Sequence, residues 1–314
     1  MTDRELFMEK EKYLGKKICL EGWIKNHRKQ KEFGFISFSD GTFFTPIQVV
    51  YEKELKNFDE IQKFHIGSSI KVEGKVVKSP KEEQFFEIQA TKITLLEDCP
   101  EDYPIQPKKH SREFLREQAY LRPRTNLFQA VFRIRSKAAF AIHQYFQERD
   151  YVYFHAPIIT AADAEGAGEM FQVTTLDLDN LKEKEVDYSK DFFGKKASLT
   201  VSGQLQAETF ALAYKKTYTF GPTFRAENSN TKTHANEFWM IEPEIAFCDL
   251  SEDMDIMEEM LKYVVDYTLK NCKEELEFLD QFVEKGLIKK LENLVSSKAV
   301  KISHEEAINY LLEP

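Results

Sequence analysis

The sequence predicts a mixed α+β protein in two parts: a small five-stranded β-barrel, then a larger domain built on an antiparallel sheet flanked by helices. Three observations predict it. From Ile18 to about Leu96, apolar and polar residues alternate with period two between Gly and Ser-Pro turns. Three prolines then fall within residues 100–107 and break both helix and strand. Beyond them, helical stripes surround two long alternating segments joined by a polar turn. A chain of 314 residues also divides more naturally into two domains than into one core. The expected boundaries are 1–100 for the barrel, 101–118 for a linker and 119–314 for the larger domain.

In the first part, strands are expected over 18–24, 33–40, 45–51, 70–78 and 84–95. Leu55, Phe58, Ile61 and Phe64 recur at three- to four-residue spacing, which predicts one short helix inside 52–67. Five strands with a helix between the third and fourth describe an OB-type barrel. Alternation puts Ile36 and Phe38 on the inner face and Phe35 on the outer one with Ser37 and Ser39. Gln48 and Glu87 are likewise opposite their apolar neighbours. An aromatic, an amide and a carboxylate on one outer face suit base stacking and edge hydrogen bonding, and packing of Phe35 beneath a loop is the competing reading.

After the linker, Leu127, Val131, Ile134, Ala138, Ala141 and Ile142 trace a helix capped by Thr125 or Asn126 and ending near Asp150. A strand over 151–155 stops before Pro157. A polar loop with Glu165-Gly166-Ala167-Gly168 and a charged excursion over 176–196 precede a strand at 198–201 and a helix over 203–214. Strands over 217–227 and 237–247 flank the turn-rich segment 228–236 and form a hairpin. Asp249 with Glu252 caps one helix, and Ser303 with Glu306 has capping-box spacing for another. In the hairpin, Trp239, Ile241, Ile245 and Phe247 are expected to face the core, and Phe238, Met240, Glu242 and Glu244 to face away. Arg225 shares its face with Thr219, Thr223 and Glu227. One Arg among carboxylates over a sheet is costly to bury without a ligand, and a structural ion-pair network is the alternative.

Composition narrows the class. Hydrophobic residues make up 42% and charged residues 31%, within the globular range. No apolar run reaches the roughly 18 residues of a membrane helix, and Met-Thr-Asp-Arg-Glu-Leu is no signal peptide, so a cytoplasmic protein without membrane partners is expected. The four scattered cysteines suggest neither a disulfide framework nor a metal knuckle. A net charge of −9 argues against non-specific nucleic-acid binding and leaves DNA out, although basic runs at 25–31, which includes Arg28, and 107–124 remain as local patches. No P-loop, complete GxGxxG, HExxH or GxSxG motif occurs. His65-Ile66-Gly67-Ser68 mimics the tetrapeptide of another adenylating superfamily but precedes a barrel strand, so it is read as chance.

Thr223-Phe224-Arg225-Ala226-Glu227 through Glu237-Phe238, together with Gly22-Trp23, Phe35 and Gln48-Val49-Val50, resembles class II aminoacyl-tRNA synthetases of the aspartate, asparagine and lysine subgroup. Ser202-Gly203-Gln204-Leu205 and Phe238-Trp239-Met240-Ile241-Glu242-Pro243-Glu244 resemble the asparagine branch; the aspartate branch usually has Pro at Gly203 and Asp at Glu242. The resemblance implies an OB-fold anticodon-binding domain followed by a class II catalytic domain. It implies ATP-dependent activation of asparagine, with transfer to tRNA(Asn) by a homodimer paired through the helix and strand that end at Pro157. It assigns Arg225 to the α-phosphate as the catalytic cation, Glu227 to the adenine amino group, Phe238 to the adenine ring and His234 to the terminal phosphates. Glu165, Gln204 and Glu242 become the amino-acid site, with Glu242 opposite the side-chain amide. Arg28, Phe35, Gln48 and Glu87 become anticodon contacts. ATP and Mg2+ are implied, the metal ligands staying unassigned. An aspartate enzyme, one that also charges the asparagine tRNA, or a non-catalytic tRNA-binding relative are the competing readings. The family's third motif finds no match, and the end at Leu312-Glu313-Pro314 is expected to reflect a chain cut from a longer enzyme, inactive by itself.

Overall fold

The computed structural model describes residues 1–80, 85–164, 169–180, 186–229, 231 and 233–312. In chain order its elements are α1 (Asp3–Met8), α2 (Lys10–Tyr13), β1 (Lys17–Lys29), β2 (Phe33–Ser39), β3 (Ile47–Glu52), α3 (Phe58–Ile61), β4 (Ser69–Lys78) and β5 (Phe86–Glu97). There follow α4 (Arg112–Glu117), α5 (Asn126–Gln147), β6 (Val152–Tyr153), β7 (Ile159–Thr160), β8 (Gln172–Val173) and β9 (Ala197–Leu199). The remainder comprises α6 (Gln204–Tyr214), β10 (Lys216–Phe224), β11 (Glu237–Ile245), α7 (Leu250–Asn271), α8 (Lys273–Phe282), α9 (Leu287–Ser296) and α10 (His304–Leu312). Internal contacts divide the chain into Met1–Lys137 with Thr268–Asn293, and Ala138–Tyr267 with Leu294–Pro314. Among the described residues no helix is long and apolar enough to cross a membrane.

In the first unit the five strands close into a barrel in the order β1-β2-β3-β5-β4. Period-two alternation sends Leu20, Ile24, Ile36, Phe38, Val49, Val72 and Ile88 inward to one core, and the barrel closes where β1 pairs β4 and β3 pairs β5. The helix anticipated inside 52–67 is shorter than its apolar spacing suggests. Phe58, Ile61 and Phe64 are buried, but the flanking backbone closes in single turns, Leu55 N–H to Glu52 O and Lys63 N–H to Glu60 O, so only α3 is helical. Sequence reading missed α1. Its capping box joins Thr2 and Glu5, and it plants Leu6 in the barrel core.

In the second unit β10 pairs antiparallel with β11 and parallel with β6. Tyr218 and Phe220 on one face join Ile142, Tyr145, Phe146 and Tyr151, with Ile241 and Ile245 packed against them. The cross-strand pairs Thr219↔Glu242 and Thr223↔Phe238 share the other face. Phe247 departs from expectation. The strand ends at Ile245, Ala246 N–H turns back to Lys215 O, and Phe247 has φ +65° with 96% of its surface exposed. Trp239 stays half exposed, its edge on the Phe220 ring at 5.1 Å. The expected caps form: Thr125 Oγ1 accepts from Phe128 N–H, Asp249 Oδ1 from Glu252 N–H, and Ser303 and Glu306 bond reciprocally.

Candidate functional site

The hairpin carries the first candidate site. Arg225 leaves the end of β10 and lies with its guanidinium carbon 5.5 Å from the centre of the Phe238 ring. Its backbone is clamped: its N–H donates to Asn236 O, and its carbonyl accepts from Asn236 Nδ2 at 2.8 Å. Its Nε is buried and has no hydrogen-bond partner among the described residues. Glu227 follows two residues on and is half-buried, as is Phe238. His234 sits on the exposed turn, where its ring and its N–H both meet Thr231 Oγ1.

Four residues along β11 from Phe238, about 13 Å at 3.3 Å per residue, lies Glu242. Its carboxylate is gripped by the turn into α6. Ser202 Oγ donates to Oε2, and Gly203 N–H donates to Oε1 at 3.1 Å. Gln204 projects from the first turn of α6, its side-chain amide donating to Glu208 at 3.0 Å. Burial pushes the Glu244 carboxyl above its ordinary range, with Glu208, Glu242 and Asp253 adding to the rise. Glu165 lies outside the described residues. Sequence reasoning did not bring Ser202 and Gly203 to the Glu242 carboxylate or Glu208 to the Gln204 amide. Glu208 was legible as the fourth residue after Gln204 on a helix, whereas a hydrogen bond spanning 40 residues in sequence leaves no periodic trace. Among the described residues no group of three or more His, Cys, Asp and Glu is placed to hold a metal ion.

The second candidate site is the outer face of the barrel. The cross-strand pair Arg28↔Phe35 sets the guanidinium carbon 5.0 Å from the ring centre. Gln48 Nε2 donates to Glu87 Oε2 at 2.9 Å. Phe35 and Gln48 line both of two adjoining depressions, one of about 270 Å³ reaching Arg28 and Pro46, the other of about 510 Å³ reaching Phe33 and Glu87. Phe35 is half-buried and its ring meets Phe33 edge-on at 5.4 Å. The basic run splits in two. Arg28 belongs to this face, whereas Lys25 donates to Asn126 and Gln129, and burial pushes it down to about 8, with Arg133 contributing.

Comparison with known proteins places the small closed barrel and the Arg-bearing hairpin in one family. The family model of class II tRNA synthetases (D, K and N) matches residues 111–312, and that of the OB-fold nucleic acid binding domain matches residues 18–96. The chain belongs to the class II tRNA synthetase family. It is 58% identical over 317 residues to the asparagine–tRNA ligase of Acholeplasma laidlawii (strain PG-8A), covering 100% of this chain and 68% of that protein. It is 55% identical over 311 residues to the asparagine–tRNA ligase of Clostridium tetani (strain Massachusetts / E88), covering 98% and 67%. Among solved structures, asparaginyl-tRNA synthetase from Pyrococcus horikoshii complexed with asparaginyl-adenylate matches with a TM-score of 0.80 and 27% identity, over 96% of this chain and 64% of that one. The chain thus spans about two thirds of the length of the relatives it matches.

Proposed function

We propose that the chain carries the chemistry of an asparagine–tRNA ligase of cytoplasmic translation: ATP activates asparagine to its adenylate, and tRNA(Asn) takes the asparaginyl group. The observation that carries this reading is the buried, unpartnered Nε of Arg225 beside Phe238, on the hairpin that also presents Glu242. A guanidinium cannot discharge by losing its proton, so its desolvation calls for an anion and a phosphate fits.

In the first step the asparagine carboxylate attacks the α-phosphorus and pyrophosphate leaves. In the second a terminal ribose hydroxyl of the tRNA attacks the carbonyl and AMP leaves. Neither needs a protein nucleophile, and rate comes from in-line positioning and from cationic charge where phosphoryl charge develops. Arg225 supplies that charge, Phe238 stacks on adenine, Glu227 accepts from its amino group and His234 reaches the terminal phosphates. Gln204 and Glu165 serve the α-amino group, and Glu242 accepts from the side-chain amide. A site where Glu244 already resists ionisation is a poor host for the extra carboxylate of aspartate. Mg2+, when bound with ATP, neutralises phosphate charge, and none of the residue roles above depends on it.

Residues 1–100 bind the anticodon, with Arg28, Phe35, Gln48 and Glu87 as contacts, 101–118 link, and 119–314 form the catalytic domain. A homodimer pairs through α5 and the strand beyond it, where Val131, Phe132 and Phe140 are exposed; light scattering at micromolar concentration checks it, and a clean monomer contradicts it. Amino-acid-dependent ATP–pyrophosphate exchange tests the reaction. In a protein of its relatives' full length, asparagine is expected to support exchange, and exchange that prefers aspartate would replace this reading with an aspartate enzyme.

A further inference from the structure

We infer that Ser202 and Gly203 are specificity-positioning residues: they lock the Glu242 carboxylate in place and thereby set the choice of asparagine over aspartate. The inference rests on the asparagine reading above and adds how the choice is enforced.

The lock is built from the turn that leads from β9 into α6. Thr200 Oγ1 donates to Ser202 O at 2.6 Å and fixes the turn. Gln204 N–H donates to Ser202 Oγ at 3.1 Å, so the single hydroxyl proton of Ser202 is directed to Glu242 Oε2. Gly203 N–H takes Oε1. Each carboxylate oxygen therefore accepts one fixed donor and keeps lone-pair capacity for a substrate. Gly203 can come this close only as glycine. A Cβ there would stand 2.8 Å from Thr219 Cγ2 and 2.9 Å from Ala156 Cβ, and Thr219 is the cross-strand partner of Glu242. The absent side chain is what lets the start of α6 press on the sheet at the level of Glu242.

Rejection of aspartate by a like charge works only if the repelling carboxylate cannot swing away. A Glu side chain has three rotatable bonds, and an unrestrained one would relieve the clash by turning toward water. The two donors remove that escape and hold the acceptor where an asparagine amide donates. The same turn that starts the helix thus converts a charge into a selectivity filter.

The test is equilibrium binding of asparagine and of aspartate to the 314-residue chain and its variants, with ATP affinity and thermal midpoint measured alongside. Gly203→Ala and Gly203→Pro both push a Cβ against Thr219 and Ala156, but only the proline lacks the N–H. Gly203→Pro and Ser202→Ala should each lower the asparagine-to-aspartate ratio about tenfold or more. Gly203→Ala, whose Cβ also forces the turn away from the sheet, should lower the ratio as well though by less than the proline, and Ser202→Thr, which keeps the hydroxyl, should hold it. ATP affinity should hold throughout, because the lock serves only the amino-acid end. If the proline variant fails to fold, Ser202→Ala carries the comparison. A ligand-free readout is amide exchange at Gly203, which should quicken about tenfold or more in Glu242→Ala. A ratio unchanged in both Gly203→Pro and Ser202→Ala, or Gly203 exchange indifferent to Glu242, overturns the inference. An unmutated chain with no preference for asparagine instead refutes the ligase reading, and the exchange measurement still decides the contact.

Discussion

Among the described residues three buried side-chain polar atoms lack a hydrogen-bond partner, Asp3 Oδ1 and Arg122 Nε in the first unit and Arg225 Nε in the second, and Asp3 and Arg225 escape the penalty differently. Asp3 sits at the start of α1 with 0% of its surface exposed and Oδ1 unpartnered. Burial pushes its carboxyl up to about 7, and the charge of Asp40 beside it adds to the rise. A proton resolves that orphan. Arg225 Nε in the hairpin has no such route, because a guanidinium keeps its charge at any physiological pH. Its guanidinium lies over the Phe238 ring, and under the proposed function a phosphate completes it. An orphan carboxyl can thus be settled by a proton, whereas an orphan guanidinium needs an anion or, as Arg122 has in Phe128 and Phe132, aromatic rings.

The largest effect that could break this comparison is at Arg225. In a protein of its relatives' full length, Arg225→Gln should slow asparagine activation about a thousandfold or more while leaving unfolding stability unchanged or slightly higher. Removing one partner of a satisfied buried ion pair costs about 3–5 kcal/mol, so a loss of that size in urea unfolding would make Arg225 structural and dissolve the contrast.

Next in size is Asp3. Its folded pKa lies above the ordinary value of 3.8, so the folded state holds the proton more tightly than the unfolded chain. The stability this lends is complete below about 3.8 and is lost as pH rises through about 7. At 1.36 kcal/mol per unit the whole effect is about 4 kcal/mol. Asp3→Asn should flatten the fall in stability between pH 4 and pH 8 and stabilise the protein at the upper end, read by urea unfolding at several pH values. An unchanged slope would mean that Asp3 is not the titrating group.

Smaller still is Phe35. Base stacking is worth about 1–3 kcal/mol by alanine substitution, so Phe35→Ala should weaken tRNA(Asn) binding about ten- to a hundredfold and leave asparagine activation intact. Equal losses in both assays would remove the functional separation of barrel face and hairpin.

Alternation made much of this legible. Phe35, Gln48 and Glu87 on the barrel, and Phe238, Glu242 and Glu244 on β11, sit on the faces their spacing assigns, because register in a half-buried strand is fixed by its apolar side. Phe247 was misread because periodicity does not report where a strand stops, and the turn at Ala246 is set by pairing with Lys215. The Thr2-to-Glu5 capping box was visible in spacing, but nothing local marks Asp3 as buried, since its partner Asp40 comes from a distant turn. The Ser202–Gly203 grip on Glu242 was hidden for the same reason: the sequence shows a strand-to-helix junction, and only the folded sheet brings it against a carboxylate on β11.

The most direct measurement is calorimetric binding of two non-hydrolysable adenylate analogues, asparaginyl and aspartyl, to the unmutated protein. On the proposed assignment each engages Arg225 and Phe238 through the nucleotide and Glu242 through the amino-acid side chain, so they differ only in the group that Glu242 meets. Like-charge juxtaposition costs several kcal/mol, and the asparaginyl analogue should bind about a hundredfold tighter or better. Equal or tighter binding of the aspartyl analogue would contradict the assignment.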